Sequence, residues 1–298
     1  SKGNVVTPTS LIEEKGSDIV RYWASTSHLG ADTAYSEDVF KIGQKLITKL
    51  FNAAKFVEFV SKNADYDLNA QSFEALIEET SSNKTKITQA ADLWILSKLH
   101  LAVNQATQAF DKFEYARARE KIEEFFWKDF CDNYLEIIKV RAYGLKAEKL
   151  ANAGLSAAQK QEIINKQNSC LKTLQICLDV LLKAFAPFVP HICEEIYHSV
   201  FTKAAAEQIS IHARNNWPKA DKIIFNQQFH DIGEAALAII FEVRKFKSDN
   251  NLSMKTTIAN LEISNKVDLT LILEDLENVC NAAKISFAIG EMQVEIKI

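Results

Sequence analysis

The chain has 298 residues, 47% apolar and 25% charged, and its 35 Lys+Arg against 39 Asp+Glu leave a formal net charge of −4. That acidic balance argues against a non-specific nucleic-acid binder, which carries a basic excess, and DNA is not an expected partner. No apolar run approaches the roughly eighteen residues of a membrane span, and with only 8 Gly and 4 Pro the chain is expected to form long uninterrupted helices in two or three compact units.

Pro8 closes a polar, glycine-containing opening, and two short helices are expected over 9–27. Thr9 or Ser10 can cap the first, Gly16 ends it, and Ser17-Asp18 starts the second. Gly30 to Thr33 is a turn. A long amphipathic helix is expected from Asp38 to Val60, with Val39, Ile42, Leu46, Leu50, Ala53 and Val57 as its apolar stripe. Residues 61–91 are polar and are expected to form a mobile connection with one short helix around Phe73, Leu76 and Ile77. Asp92 then caps a helix whose face is Leu93, Leu96, Leu99, Val103, Ala106 and Phe110. The longest element runs from Tyr115 to Tyr143 and ends at Gly144. Ser156 and Gln159 form a capping box for a helix through Ile163, Cys170, Leu174, Cys177, Leu181 and Phe185. Pro187 stops it, and Pro190 opens the next at a position proline tolerates. After Pro218 the pattern shifts to a helix over Phe229–Asp249, a β-branched run at Thr256–Ile263 and a helical stretch over Leu269–Ala283. Two short strands then flank Gly290-Glu291.

The expected fold is therefore mainly α. It is an antiparallel helix bundle over 38–218, preceded by a unit over 1–37 and followed by a small α+β unit over 219–298. The five cysteines make no CxxC pair, which fits reduced, buried thiols in a cytoplasmic protein. His191 and His198, with Cys193 between them, do not match a zinc spacing, so no metal is expected. The segment Phe125 to Glu136 is dense in aromatics. Phe126, Phe130 and Leu135 fall close to one face and read as core, while Trp127 beside Lys128 can stack on a splayed base. Arg117, Arg119, Lys121, Lys128, Lys139 and Arg141 recur along the long helix, and Arg214 follows later. These are the candidates for phosphate contacts. Ser1, Lys2, Gly3 and Asn4 combine a cation with a permissive turn, and Asp18 with Arg21 reads as a structural bracket beneath that loop.

Taken together these segments resemble a known family. Ser1-Lys2-Gly3-Asn4-Val5-Val6 is similar to the end of the K-M-S-K-S loop of class I aminoacyl-tRNA synthetases. Gly16 to Trp23 resembles the segment that follows it in the valyl, isoleucyl and leucyl group. Leu29 to Thr33, Lys49 to Val57, Phe126 to Glu136 and Leu182 to Tyr197 look like the valyl family in particular, and Ser210-Ile211-His212 with Trp217-Pro218 agrees.

The resemblance implies an enzyme that activates valine with ATP and esterifies it to a valine-accepting tRNA, with a separate domain hydrolysing mischarged threonine. This chain would supply the end of the signature loop, a stem-contact region and the anticodon-binding bundle. Of the signature itself only Ser1 is present, so the chain alone is expected to be inactive, to bind no ATP, and to be monomeric. The rivals are an isoleucyl or leucyl fragment, against which Phe126-Trp127 and Phe130-Cys131-Asp132 speak, and a free helical scaffold that binds protein helices.

Overall fold

The computed structural model describes residues 8–31, 35–70, 87–144, 154–201, 209–213 and 217–298. The signature-loop residues Ser1 to Asn4, the expected helix around Phe73, and Arg214 lie outside them. Two short helices, α1 (Pro8–Lys15) and α2 (Ser17–Ser25), meet at Gly16, whose φ of 88° suits a residue without a side chain. Helix α1 includes Pro8, so Thr9 and Ser10 sit inside it and are not its caps.

Helix α3 (Glu37–Asn63) buries Phe40, Gly43, Leu46, Leu50, Ala53 and Val57. Ile42, expected on that stripe, points outward, because Phe40 and Gly43 occupy the inner positions and the Tyr22 ring lies against Gly43. Helix α4 (Ala90–Asp111) is central. Trp94, Ile95, Leu96, Leu99, Val103 and Ala106 are all buried, whereas Leu93 and Phe110 are half-buried. Asp92 is not its cap: the helix starts two residues earlier, and the carboxylate is fully buried within the first turn.

From Tyr115 to Tyr143 the chain stays helical, but not uniformly α. Helix α5 (Tyr115–Glu124) passes into a π-helical segment (Phe125–Tyr134), then a single turn α6 (Leu135–Ile137) and α7 (Lys139–Tyr143). The wider winding sets residues i and i+5 near one another. Phe125 stacks on Phe130 with centroids 6.3 Å apart, and the Asn133 amide donates to the Lys128 carbonyl at 2.8 Å. Phe126 and Phe130 are core as expected, and Leu135 is half-buried. Gly144, with φ 56°, ends α7.

Helix α8 (Ala157–Phe185) opens with the expected capping box: the Ser156 hydroxyl accepts from the Gln159 amide, and the Gln159 side chain accepts from Ser156 N–H. Helix α9 (Pro190–Val200) follows, and α10 (Gln227–Asp249) packs along α4, its first turn capped by the Asn226 side chain. The bundle is completed by a small α+β unit. Strand β1 (Asn260–Asn265) leads through α11 (Leu273–Cys280) to β2 (Ile285–Ile289), which pairs parallel to it. Strand β3 (Gln293–Lys297) pairs antiparallel on the other side of β1, so the two strands flanking Gly290 do not pair with each other. The main apolar core is continuous from Tyr22 to Cys280 and includes Leu261, Ile263 and Leu276 of the last unit.

Asp18 and Arg21 bind the start of the molecule to the bundle. The buried Asp18 carboxylate accepts from the backbone N–H of His191 and Ile192, at 3.1 and 2.7 Å, and so caps the positive end of α9. Arg21 donates to the Pro187 carbonyl at 2.8 Å. The two residues face the α8–α9 corner, not one another.

The π segment also holds a carboxylate that opposes its own ionisation. Burial pushes Asp129 from its ordinary 3.8 up to about 6, with Lys98 at 3.5 Å opposing the shift and Glu234 adding to it. Between about pH 4 and pH 6 the folded state then keeps a proton that the unfolded chain has lost. Stability from this group therefore falls as pH rises through that window and stays lower above it. Asp129→Asn should remove that slope. Melting curves should show the variant gaining on the parent by about 2 kcal/mol between pH 4 and pH 7. A difference that stays flat with pH would contradict this account.

Candidate nucleic-acid interface

The candidate RNA-contacting side chains separate into three groups. Lys139 lines a groove between α3 and the second half of the long helix, the half-buried Trp127 lies beside Lys49 of that groove, and Lys128 is exposed on the turn before it. Arg117 and Lys121 lie near the other end, beside the α4–α5 corner. At 1.5 Å per residue, Arg117 and Lys139 are about 30 Å apart. The third group is internal and corrects the expectation. Arg119 donates to the Tyr22 hydroxyl at 3.0 Å, pairs with Glu123, and stacks its guanidinium over the Tyr22 ring at 4.9 Å. Arg141 is enclosed by Asp92 and Asp275. Neither can reach a phosphate without losing a buried ion pair.

The groove encloses about 310 Å³, the low end of the range for small-ligand sites. Its walls are Lys49, Asn52 and Phe56 from α3, and Leu135, Lys139 and Tyr143 from the opposite side. Tyr143 meets the edges of Phe56 and Phe59, each with centroids 6.0 Å apart. Phe59 and Tyr143 remain 50% and 44% exposed, which leaves ring surface open to a planar ligand. Lys49 stands 6.0 Å from the Trp127 ring centre and 3.8 Å from the Asp132 carboxylate. Lys139 pairs with Glu136 at 3.0 Å. These are solvent-exposed pairs of small net value, so either cation can turn to a phosphate at little cost.

No nucleophilic chemistry is indicated at this groove. Cys131, in its floor, has its thiol pushed up to about 12 by burial, so it stays protonated at neutral pH. Among the described residues there is no group of three or more His, Cys, Asp or Glu placed to hold a metal ion. No described helix is long and apolar enough to cross a membrane. Aromatic faces, lysines and an adaptable Asn52 amide are the ingredients for stacking and edge-reading an unpaired base.

The α4–α5 corner is a second, more polar hollow of about 250 Å³ lined by Gln105, Gln108, Lys112, Arg117 and Lys121. Phe113 at its tip is 65% exposed and has φ 61°, a strained conformation for a bulky residue. Arg117 and Lys121 each have a carboxylate partner one turn away, Glu114 and Glu124.

The α3 contribution was missed by reading clusters of charge. Its signal is a second stripe, Lys49, Asn52, Phe56 and Phe59, at helical spacing and flanking the buried stripe of Leu46, Leu50 and Val57. Aromatics on the polar face of an amphipathic helix are the unusual feature there.

Comparison with known proteins agrees with an RNA-binding surface. Residues 92–263 match the family model described as the anticodon-binding domain of tRNA ligase. The chain is 40% identical over 301 residues to a valine--tRNA ligase of Wolbachia pipientis wMel, covering 99% of this chain and 30% of that protein. It is 42% identical over 300 residues to that of Rickettsia prowazekii (strain Madrid E), covering 100% and 33%. Against that of Ehrlichia canis (strain Jake) the identity is 41% over 285 residues, covering 95% and 31%. The chain thus spans about a third of the length of the curated relatives it matches.

Proposed function

The chain belongs to the family of anticodon-binding domains of tRNA ligases, and from that premise we propose that it is the tRNA-gripping portion of a valine--tRNA ligase. The groove between α3 and α7 takes an unpaired anticodon-loop base, stacked against Phe56 and Tyr143, with Lys49 and Lys139 on the neighbouring phosphates. Trp127 supplies a further aromatic surface beside Lys49. Arg117 and Lys121, about 30 Å from Lys139 along the long helix, contact the RNA at a separate place. In the longer enzyme, docking here orients the tRNA so that its acceptor end reaches a distant active site, where valine is activated with ATP and transferred. The protein works in the cytoplasm as a monomer.

ATP chemistry belongs to the rest of such an enzyme. The two hollows are lined by side chains of both signs, Glu136 against Lys139 in one and Glu114 against Arg117 in the other. Neither contains a glycine-rich run of backbone N–H groups to cradle a triphosphate. No step of nucleotide chemistry is assigned to these residues.

The observation that carries the reading is the pairing of exposed aromatic ring surface with two lysines held only in solvent-exposed ion pairs, in one groove of about 310 Å³. Binding of anticodon stem-loop RNA tests it. Tyr143→Ala should weaken binding by about tenfold, the loss of roughly 1–3 kcal/mol for one stacked base. Lys49→Glu and Lys139→Glu should each lower the slope of log affinity against log salt by about one contact's worth. Affinities and salt slopes unchanged in all three variants would defeat the proposal.

A further inference from the structure

Lys139 and Tyr143 stand one helical turn apart on α7, and both line the groove. That helix has five residues, too few to hold its own shape in water. Between them, Arg141 points the other way, into the protein, and every N–H of its guanidinium group is engaged. Nε donates to Asp275 Oδ1 at 2.8 Å. Nη1 donates to Asp92 Oδ2 at 3.1 Å and to the Lys166 carbonyl at 3.3 Å. Nη2 donates to Asp92 Oδ1 at 3.0 Å and Asp275 Oδ2 at 3.1 Å. Asp92 is held in turn by the Tyr134 and Ser169 hydroxyls, at 2.9 and 2.6 Å. Asp275 comes from α11 of the C-terminal unit, and at the surface beside it Lys166 pairs with Glu274 at 2.7 Å. Yet among the residues lining the groove none comes from that unit.

We infer that Arg141 is a positioning residue for RNA, and that the C-terminal α+β unit governs RNA affinity through it without touching the ligand. Asp92 on α4 and Asp275 on α11 each hold the guanidinium through two hydrogen bonds, together they fix the roll of α7 about its axis, and that roll decides whether Lys139 and Tyr143 face Phe56. A guanidinium locked at two carboxylates has one orientation, unlike a lysine in the same place. The inference rests on the RNA reading of the groove.

Asp275→Asn tests it. The cluster carries two carboxylates and one cation, so the substitution leaves a neutral Asp92–Arg141 pair and the fold in place, while it breaks the bidentate contact to the C-terminal unit. Anticodon stem-loop RNA should then bind about three- to thirtyfold more weakly, the usual range for an indirect coupling. The decisive reading is a pair of double-mutant comparisons. Combined with Tyr143→Ala, Asp275→Asn should add clearly less than it does to the parent, because of the two groups it positions only Lys139 is left. Combined with Lys49→Ala, on α3, its effect should multiply in full. General loosening would instead weaken binding equally in both backgrounds, and that result overturns the inference. So does an affinity within twofold of the parent for Asp275→Asn. If Asp275→Asn does not fold, Glu274→Ala, which removes only the surface half of the same docking, should give the same pattern at smaller size; equal effects in both backgrounds, or none, overturn the inference there too. Should Tyr143→Ala, Lys49→Glu and Lys139→Glu all leave RNA binding unchanged, the groove reading falls and this inference with it. If Tyr143→Ala weakens binding and Asp275→Asn does not, only this inference falls.

Discussion

Arg141→Met is expected to cost about 3–5 kcal/mol of folding stability at neutral pH, the usual penalty for removing one member of a buried ion cluster. Methionine fills the space and leaves Asp92 and Asp275 facing each other. Asp92 is fully buried and Asp275 nearly so. Burial already raises the Asp275 carboxyl, and with the cation gone one of the two must take up a proton. The loss should therefore be larger at pH 8 than at pH 5, where protonation is cheap. Urea unfolding of the parent and the variant at both pH values measures it. A difference below about 1 kcal/mol at pH 8 would show that the cluster contributes little to stability. Adding Asp92→Asn to Arg141→Met should recover part of the loss, because it removes one of the stranded charges.

Gly233→Ala should also be damaging, to a smaller extent and for a steric reason. A Cβ at position 233 would lie 2.0 Å from both Cγ and Cδ1 of Trp94. That ring is fully buried and its Nε1 donates to Glu234 at 3.1 Å, so it cannot move aside. Overpacking of this kind costs about 3 kcal/mol, and alanine's better helix propensity returns at most about 1. The net loss is about 2 kcal/mol, visible as a lower melting temperature. Trp94→Leu should make the same Gly233→Ala change nearly harmless, because the obstructing ring is absent. Equal costs in the two backgrounds would mean that the α4–α10 contact yields more readily than its geometry indicates.

Both predictions concern residues that looked unremarkable one at a time. Arg141 stood among Arg117, Lys128 and Lys139 as one more cation on a long helix. Its partners are 49 residues upstream and 134 downstream, and nothing local distinguishes it. Arg119 is similar, paired with Glu123 one turn on but buried against Tyr22, 97 residues away. The π-helical turns between Phe125 and Tyr134 add a further obstacle. Each changes the phase of everything after it, so a uniform 3.6-residue period carried from Arg117 misplaces the faces at Lys139 and Arg141.

Other parts were legible because their causes are local. The Ser156–Gln159 box, Pro190 at a helix start and Gly144 at a helix end each act within one turn, and each is where its residue type predicts. The apolar periods of α4 and α8 announced a helical bundle, and the segments from Gly16 to Tyr197 carried the family. The sequence by itself therefore determined the main helices, several of their ends and the family, since backbone preference and hydrophobic period are properties of neighbouring residues. Only the tertiary structure decided which cations face solvent and which lock the interior. A charge is neutralised by whatever the fold brings beside it, and that neighbour can come from anywhere along the chain.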